Sequence, residues 1–421
     1  QGNQGNQANK EENLQNSEPN YAPHLRPLRF KLRPRILFFD TGYFLSRELP
    51  LAAKANGSEI AIWSSKAGLN ADGEDYQRLL EQIKQFRPEL IMTVNHLGFD
   101  AEGKLASVLT RLGLPAASWF VDSPAFILGS AAKNSFRDLY AFSWDRDYLP
   151  ILTDFGFNQA HFLPLAASEE FFKPLPKAGP KERAIAFVGD SLASATTKYL
   201  AQSSLSESNL DEIDCLALEF INNNSLTPGP LVSALANRYN LTLEQTINLE
   251  ALVTWRASRL SRLAVLKTLA AHFPPTEGPA LTIAGQMDWM ELVPLALVTS
   301  RLDYYRDLAG FYLGSEVNLN ITSAQMKTGI NQRVFDVPAC REFLLTDRRE
   351  QLSYVFDLDS EVAVYDDPSD CAQKAKWYLN NPSARDKIAD KAYRRVIGSH
   401  LYRHRLRSIV STIFGREEGF K

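Results

Sequence analysis

The chain contains 421 residues, of which 45% are hydrophobic and 23% are charged, and its net charge at pH 7 is −3. This length is sufficient for two domains with separate cores, and the composition is ordinary for a soluble globular protein. The small net charge gives no reason to expect nucleic acid or an anionic membrane as a partner.

The first part of the chain alternates between apolar runs and helical patterns. Residues 1–34 form a polar tail that we expect to be disordered or extended. Within residues 35–175 the runs predict strands at Ile36–Asp40, Glu59–Trp63, Leu90–Val94, Ala116–Val121, Leu139–Trp144 and His161–Leu165. Helical segments separate these runs, and such alternation is typical of a doubly wound parallel sheet. We therefore predict an N-terminal Rossmann-like domain.

A second α/β unit is predicted for residues 182–392, after a linker rich in proline and lysine. Its strands are predicted at Ala184–Gly189, Leu281–Gly285, Val317–Thr322, Phe343–Thr346 and Glu361–Tyr365. Residues 192–272 interrupt this unit and read as an all-helical insertion. The chain is predicted to end in one long basic helix, Pro382–Phe414, and we expect residues 393–421 to pack back toward the N-terminal domain.

The segment Val317–Asp347 is the most informative part of the chain. It contains a strand, a polar connection, a helix predicted at Asn331–Cys340 and a second apolar run. This order is half of an α/β nucleotide-binding unit. Ligands of open α/β sheets bind beyond the carboxyl ends of the strands, so two such domains would place their ligands in a shared interdomain cleft.

The cysteines indicate the redox state of the compartment in which the protein is expected. Cys215, Cys340 and Cys371 are widely spaced and odd in number, which argues against a disulfide framework and a cysteine-based zinc site. A run of about 18 apolar residues, as a transmembrane helix needs, is not found. The N-terminus has no apolar core of a signal peptide. We expect a protein of the cytoplasm without a transmembrane segment.

Several stretches of the sequence occur together in the order that is found in one enzyme family. They are ILFFDTGYFL, LIMTVNHLGFD, ASWFVDSP, FSWDRDYL, FLPLAAS, FVGDS, LDYYRDL, VNLNITSAQMKTGINQRVFDVPACREFLLTDRREQL and YRHRLR. In this ordered set the chain resembles the CgeB-like glycosyltransferases, the spore-maturation-protein type, which have the GT-B architecture. The resemblance implies transfer of a sugar from a nucleotide-sugar donor, held mainly by the C-terminal domain. It also implies a protein or glycan acceptor, held mainly by the N-terminal domain.

The resemblance assigns Asp336 to the donor. This residue matches the position at which the family uses an acidic side chain, and a carboxylate can accept hydrogen bonds from both ribose hydroxyls. The alternative is an ordinary carboxylate on a helix surface. Many GT-B enzymes have a glutamate seven residues upstream, but Gly329 occupies that position here, which leaves the arrangement of the ribose and sugar contacts open.

A leaving diphosphate needs positive charge and hydrogen-bond donors. Lys327 and Arg333 are the candidate cations, although Lys327 is alternatively a plain exposed lysine and Arg333 the partner of a nearby carboxylate. The remaining candidates are neutral side chains after the strand VNLNIT and backbone groups at strand ends: Thr328, Asn331, Gln332, Gly189, Thr346 and Asp347.

Three residues at strand ends of the N-terminal domain are candidates for acid–base catalysis. His96 is the first choice, because a neutral imidazole accepts a proton near pH 7. Asp122 would serve as the base if it is desolvated, or it would orient His96. Asp40 is the third candidate. For each of the three, the alternative is a side chain that caps its own turn.

No metal and no cofactor are expected. Asp145-Arg146-Asp147 has the DxD pattern, but it opens a predicted helix, so helix capping is the favoured role. The GxGxxG and GxSxG motifs are absent, which disfavours dinucleotide oxidoreductases and α/β-hydrolases. Two alternatives to a glycosyltransferase stay open, namely a sugar-nucleotide epimerase of similar architecture and a non-catalytic nucleotide-binding scaffold.

Overall fold

The structure is a computed structural model that describes residues 33–64, 73–129, 136–175, 181–223, 226–273 and 280–415. All but the last two residues of the predicted tail, 1–34, lie outside this part, as do residues 416–421. Where it is described, the chain forms two α/β domains, each built on a six-stranded parallel sheet.

The first sheet has the strand order β2-β1-β3-β4-β5-β6. Its strands are β1 (Ile36–Asp40), β2 (Ile60–Ser64), β3 (Leu90–Val94), β4 (Ala116–Phe120), β5 (Tyr140–Ser143) and β6 (Gln159–Phe162). The helices of this domain are α1 (Glu48–Ala55), α2 (Glu74–Phe86), α3 (Lys104–Arg111), α4 (Pro124–Leu128) and α5 (Leu149–Asp154), with a 3-10 turn at Arg146–Tyr148. β1 pairs with both β2 and β3, so the direction of winding reverses between β1 and β3. A crevice for ligands is expected at that point.

The second sheet has the strand order β12-β11-β10-β7-β8-β9. Its strands are β7 (Arg183–Val188), β8 (Leu281–Ala284), β9 (Leu297–Thr299), β10 (Ser315–Asn320), β11 (Leu344–Asp347) and β12 (Ala363–Tyr365). The helical insertion follows β7 and consists of α6 (Ala193–Gln202), α7 (Leu210–Asn222), α8 (Pro228–Arg238) and α9 (Leu243–His272). Winding reverses between β7 and β10, which are direct neighbours.

The remaining helices complete the second domain and cross back to the first. They are α10 (Trp289–Leu292), α11 (Leu308–Leu313), α12 (Arg333–Ala339), α13 (Pro368–Asn380), α14 (Pro382–Ser399) and α15 (Tyr402–Phe414), with a 3-10 turn at Glu350–Tyr354. One apolar cluster continues through both domains, from Phe38 in β1 to Phe335 in α12 and Ile409 in α15. The domains are therefore joined by a packed core as well as by the chain. No helix of the described ranges has both the length and the apolar character that a bilayer crossing requires.

The predicted terminal helix Pro382–Phe414 is wrong as one element. It breaks at Leu401, whose backbone is extended and pairs with Ala167 of the first domain. Ala167 donates to the His400 carbonyl at 2.9 Å and accepts from the Tyr402 amide at 3.0 Å. This short pairing satisfies backbone groups that a continuous helix would have bonded internally. Beyond the break, α15 lies against α1, where the Asn56 amide donates to the Arg403 carbonyl.

Other strands differ from the prediction as well. β6 begins two residues before the predicted His161 and ends at Phe162, because the next residues leave the sheet toward the crossover to α15. β9, Leu297–Thr299, was not predicted at all. It is a three-residue edge strand whose sequence has no clear alternation of apolar and polar residues.

Candidate functional site

Two guanidinium groups meet at the carboxyl end of the second sheet, at its reversal point. Arg333 begins α12, and its Nη2 donates to the Val188 carbonyl at 2.6 Å while its Nη1 donates to Asn320 Oδ1 at 2.8 Å. Arg333 therefore bridges the ends of β7 and β10. Arg262, on α9, donates to the Asp190 carbonyl at 2.6 Å. Both Nε atoms are buried without a hydrogen-bond partner in the described chain.

The positive charge at this point is not neutralised by a direct ion pair. No carboxylate of the described residues lies within ion-pair distance of Arg262 or Arg333, whereas Arg349 nearby pairs with Asp347 at 2.7 Å. Burial lowers the pKa of Arg262 to about 10, and repulsion from Arg333 contributes to this shift. Two adjacent, half-buried cations without a carboxylate partner form a site that favours an anion.

Arg259 extends this cationic surface. It lies one turn before Arg262 on α9, and its Nη1 donates to the Ser191 carbonyl at 2.8 Å. Neither Arg259 nor Arg262 was a candidate from the sequence, because both belong to the helical insertion. The signal was present as arginines at a spacing of three, Arg256, Arg259 and Arg262, which places them along one side of a helix.

The backbone at this sheet end is tightly packed. A Cβ atom on Gly285 would lie 2.3 Å from the Gly189 carbonyl oxygen, and one on Gly189 would lie 2.8 Å from the Phe187 ring. Any side chain at Gly189 or Gly285 would therefore displace the turn that the arginines contact. Asn331, another predicted donor residue, is present here: its amide nitrogen donates to Asn320 Oδ1 at 2.8 Å, and its own Oδ1 is buried without a partner among the described residues.

Thr346 and Asp347 hold the sheet end together. Thr346 Oγ1 is buried and accepts from the Asn320 amide at 2.9 Å. Asp347 Oδ1 accepts from the Thr322 amide at 3.0 Å and from its hydroxyl at 2.8 Å. These side chains tie the end of β11 to the segment after β10, and neither forms a hydrogen bond with the two guanidinium groups.

Lys327 and Thr328 lie in a different place, facing the first domain and the insertion. Lys327 Nζ donates to the carbonyls of Asn223 and Leu226, and burial lowers the pKa of Lys327 to about 8. Thr328 Oγ1 donates to Asp147 Oδ2 at 2.7 Å. Both residues line a cavity of about 610 Å³ between the domains.

Asp336 and Gln332 belong to a buried polar network at the domain junction. Asp336 is 1% exposed, and its two oxygens accept from the Tyr304 hydroxyl at 2.9 Å and from Gln332 Nε2 at 2.7 Å. Gln332 Nε2 also donates to the Ala166 carbonyl, and Gln332 Oε1 accepts from the Tyr402 hydroxyl at 2.7 Å. Both oxygens of Asp336 are thus occupied by protein donors, so the contacts favour a structural role.

A second carboxylate lies close to this network. Glu48 of α1 is 1% exposed, and its Oε2 accepts from Tyr305 at 3.3 Å. Burial raises the pKa of Asp336 well above its ordinary value, and the negative charge of Glu48 adds to that rise. Burial also raises the pKa of Glu48. These environments favour the neutral forms of the two acids, which do not repel each other.

Asp122 lies at the reversal point of the first sheet. Its Oδ2 accepts from Asn95 Nδ2 at 2.9 Å and from the Tyr43 hydroxyl, while its Oδ1 has no hydrogen bond with any described residue. Burial raises the pKa of Asp122, and the hydrogen bonds from Tyr43 and Asn95 oppose that rise. One oxygen is therefore held in place by two donors, and the other remains able to accept a proton.

Asp40 and His96 have other environments. Asp40 Oδ1 accepts from the Gly42 amide at 2.8 Å, which is the turn-capping contact given above as its alternative. The His96 ring stacks on Phe99 with centroids 4.4 Å apart, and its Nδ1 lies 2.7 Å from Ser118 Oγ. Burial lowers the pKa of His96 to about 3. The structure does not bring His96 together with Asp122, because the ring is turned into the aromatic core.

Asp145 links the two domains. Its Oδ1 caps the following turn by accepting from the Asp147 amide at 3.0 Å, and it also accepts from Gln351 Nε2 of the second domain at 2.6 Å. A Cβ atom on Gly329 would lie 2.4 Å from Asp145 Oδ2, so only glycine fits at that position. Burial raises the pKa of Asp145 to about 6. The space beside Gly329 thus holds a carboxylate from the first domain.

The described residues contain no group of three or more His, Cys, Asp or Glu side chains that could hold a metal ion. His400 and His404 have a spacing of four residues on the chain, but both are engaged. His400 Nδ1 lies 2.8 Å from Arg405 Nη2, and His404 Nδ1 accepts from the Leu401 amide at 3.1 Å.

Comparisons with known proteins agree with this architecture. Residues 262–411 match the model of a family described as glycosyl transferase-like, and the match begins at Arg262 and includes Arg333. No curated protein matches the chain significantly.

Several solved structures share the fold. Sucrose-phosphate synthase from Thermosynechococcus elongatus has 11% sequence identity and a TM-score of 0.53, over 91% of this chain and 99% of that one. A glycosyltransferase from Rickettsia africae has 10% identity and a TM-score of 0.53, over 92% and 100%. HepE from Anabaena, in complex with UDP and glucose, has 9% identity and a TM-score of 0.52, over 90% and 99%. The fold is therefore the two-domain GT-B fold predicted from the sequence.

Proposed function

We propose that this protein is a glycosyltransferase that moves a sugar from a nucleoside-diphosphate donor to an acceptor hydroxyl. The observation that carries the proposal is the pair of half-buried guanidinium groups, Arg262 and Arg333, without a carboxylate partner at the reversal point of the second sheet. Dinucleotides and nucleotides bind at such reversal points in doubly wound sheets. The structural likeness to HepE, solved with UDP and glucose, supports a nucleotide-sugar as the donor.

The arginines would act on the leaving group. As the bond between the anomeric carbon and the diphosphate oxygen breaks, negative charge develops on the diphosphate. Arg262 and Arg333 are fixed in advance by hydrogen bonds to backbone carbonyls, so they would stabilise this charge without reorganising. The proposal gives them the role that a metal ion has in other transferases, and it keeps the reaction metal-independent.

Asp122 is the proposed general base. Its free Oδ1 would accept the acceptor proton while the hydroxyl oxygen bonds to the anomeric carbon. Burial raises its pKa, which makes the carboxylate a stronger base than an exposed aspartate. The products are the glycosylated acceptor, the nucleoside diphosphate and one proton on Asp122. The resemblance of the sequence to the CgeB-like family supports a protein or glycan as the acceptor.

The donor site can be tested by binding. Thermal stabilisation would be measured against UDP, GDP, dTDP, CMP and NAD, with and without a divalent metal. We expect a shift with one nucleoside diphosphate that does not depend on metal. Arg262→Gln and Arg333→Gln should each weaken that nucleotide by about 10- to 100-fold, because a hydrogen bond to a charged group contributes about 1.5–3 kcal/mol.

Arg395→Gln is the matched control, because Arg395 forms an exposed ion pair with Glu361. It should leave nucleotide affinity unchanged. The donor proposal would be contradicted if no nucleotide stabilised the wild-type protein, or if the three glutamine variants bound the nucleotide equally well.

A further inference from the structure

The cavity between the first domain and the helical insertion is open to small molecules. Its volume of about 610 Å³ is within the range of small-molecule sites, roughly 300–1,000 Å³. Three parts of the chain form its walls. Phe126 and Ile151 come from the first domain, Phe220 and Glu250 from the insertion, and Lys327 from the connection between β10 and α12.

The apolar walls define the body of a ligand. Phe126 is 38% exposed at the cavity, a high value for a phenylalanine, and Ile151, Phe220 and Leu226 add apolar surface. Covering this surface with a ring or a short hydrocarbon chain would remove it from water, which is favourable by about 25 cal/mol per Å².

The charged side chains of the cavity indicate the charge of the polar group that a ligand would carry. Three carboxylates line the cavity, those of Asp145, Asp147 and Glu250, against the single cation of Lys327. Lys327 Nζ already donates to two carbonyls and lies 4.0 Å from the Phe220 ring centroid. It is therefore engaged by the protein, and the cavity presents an excess of negative charge.

Glu250 is the open acceptor among these groups. Asp145 accepts from Gln351 and Asp147 accepts from Thr328, but no described residue donates to the Glu250 carboxylate. The carboxylate lies against Gly229 in the first turn of α8, where a Cβ atom would be 3.3 Å from its Oε1. Its only cause of a raised pKa is burial, which agrees with the absence of a charged partner.

The cavity is also adjacent to the proposed reaction centre. Lys327 and Thr328 precede Arg333 in the same connection, and Ser123, which lines the cavity, directly follows Asp122. A ligand in the cavity would thus lie next to the segment that carries the proposed base, and the connection that lines the cavity continues to Arg333 of the proposed donor site.

We propose that this cavity binds the acceptor, and that it selects an acceptor group in which a protonated amine is attached to an apolar ring or chain. Glu250 accepts a hydrogen bond from the amine, and the apolar walls cover the ring or chain. The assignment as the acceptor site rests on the proposed function, whereas the binding of such a group does not.

Three probes of nearly equal size test the selection. Tyramine carries the amine, 4-ethylphenol lacks it, and 4-hydroxyphenylacetate carries a negative charge instead. Binding would be measured by saturation-transfer NMR at pH 7.5 without any nucleotide. We expect tyramine to bind at least tenfold more tightly than 4-ethylphenol, and 4-hydroxyphenylacetate to bind more weakly than both.

Two variants and a control locate the binding. Glu250→Gln should reduce tyramine to the affinity of 4-ethylphenol, whereas Glu244→Gln, an exposed residue near the start of α9, should change nothing. Ile151→Trp should narrow the cavity at its apolar wall and weaken the binding of all three probes. Far-ultraviolet circular dichroism would verify that each variant is folded.

The outcomes separate this inference from the proposed function. Equal binding of the three probes, no binding of tyramine, or a tyramine affinity that Ile151→Trp leaves unchanged would each overturn the inference. Nucleotide binding measured on the same wild-type protein reports on the donor site alone. Selective tyramine binding without nucleotide binding would support the ligand site in the cavity and contradict the proposed transferase. Nucleotide binding without selective tyramine binding would support the donor site and contradict the ligand site in the cavity.

Discussion

The carboxyl ends of the two sheets differ in charge although both sheets are parallel and doubly wound. At the reversal point of the first sheet, Asp122 is held by Tyr43 and Asn95. At that of the second, Arg262 and Arg333 bind carbonyl groups of the β7 turn. The first sheet thus presents a carboxylate and the second sheet presents cations. A carboxylate suits removal of a proton from the acceptor, and cations suit the diphosphate of the donor.

The two sheet ends differ in charge because their charged side chains come from different kinds of element. The acidic side is built from residues directly after the strands, where sequence patterns locate them well. The cationic side takes Arg262 from a helix that also forms the insertion, and α9 packs Leu266 on the sheet and Leu252 in the insertion. The insertion therefore contributes to the candidate site, and variants at either sheet end test this difference in charge.

The largest expected effect is on the acidic side. Asp122→Asn removes the free carboxylate oxygen but retains an oxygen for the Tyr43 and Asn95 donors. Transfer should fall by about 100- to 10,000-fold, the usual contribution of a positioned general base. Nucleotide affinity should stay within twofold, and both would be measured on the same preparation. Full transfer activity in a folded Asp122→Asn protein would exclude this aspartate as the base.

The next largest effect is expected on the free energy of unfolding when Asp145 is replaced. Asp145 connects the two domains by accepting a hydrogen bond from Gln351. Its folded pKa of about 6 is above the ordinary value of an aspartate, because burial disfavours the charged form. The protonated acid therefore stabilises the fold fully below about pH 4, and this contribution is lost as the pH rises through 6. Asp145→Asn mimics the protonated acid at every pH. The variant should exceed the wild type by about 3 kcal/mol at pH 8 and equal it near pH 4.

Denaturant unfolding of both proteins at pH 4, 6 and 8 measures this difference. Other carboxyls with raised pKa values, such as Glu48, are present in both proteins, so they cancel in the comparison. A stability difference that stayed constant with pH would show that the Asp145 carboxyl does not titrate in this range.

Asp336 tests whether the cationic side includes the residue that the family resemblance assigns to ribose. Asp336→Ala would leave the Tyr304 hydroxyl and Gln332 Nε2 with fewer acceptors in a buried position. We expect the free energy of unfolding to fall by about 1–3 kcal/mol, with nucleotide affinity nearly unchanged. Unchanged stability with a tenfold loss of nucleotide affinity would instead restore the ribose role, and titration calorimetry with a thermal melt distinguishes the two results.

The surroundings of Asp336 show what the sequence could locate and what it could not. Periodic apolar runs predicted all but one of the strands and the two-domain α/β fold, because buried parallel strands leave a strong local signal. The same segment predicted that Arg333 and Asn331 lie at a strand end, and they do. What local patterns could not show is which neighbour from another domain covers a side chain. Tyr304, Tyr402 and Glu48 bury Asp336 from distant positions in the chain.

Gly329 is a second residue whose environment is determined by the other domain. Gly329 occupies the position at which many GT-B enzymes have a glutamate. In the structure, only glycine at this position leaves room for Asp145 Oδ2 of the other domain. Gln351 then completes the contact by donating to Asp145. A substitution in one domain is thus explained by a carboxylate from the other, and only the packing of the domains shows it.

The smallest expected effect is on His96, the first choice of base from the sequence. With its pKa lowered to about 3 by burial among Phe99, Phe136 and Phe157, the ring should remain neutral throughout the range in which an ordinary histidine titrates. Its carbon-bound ring protons should keep constant NMR chemical shifts between pH 5 and 8, assigned by comparison with His96→Gln. A titration midpoint near 6.5 would mean that the ring reaches water, and His96 would then compete with Asp122 for the proton of the acceptor.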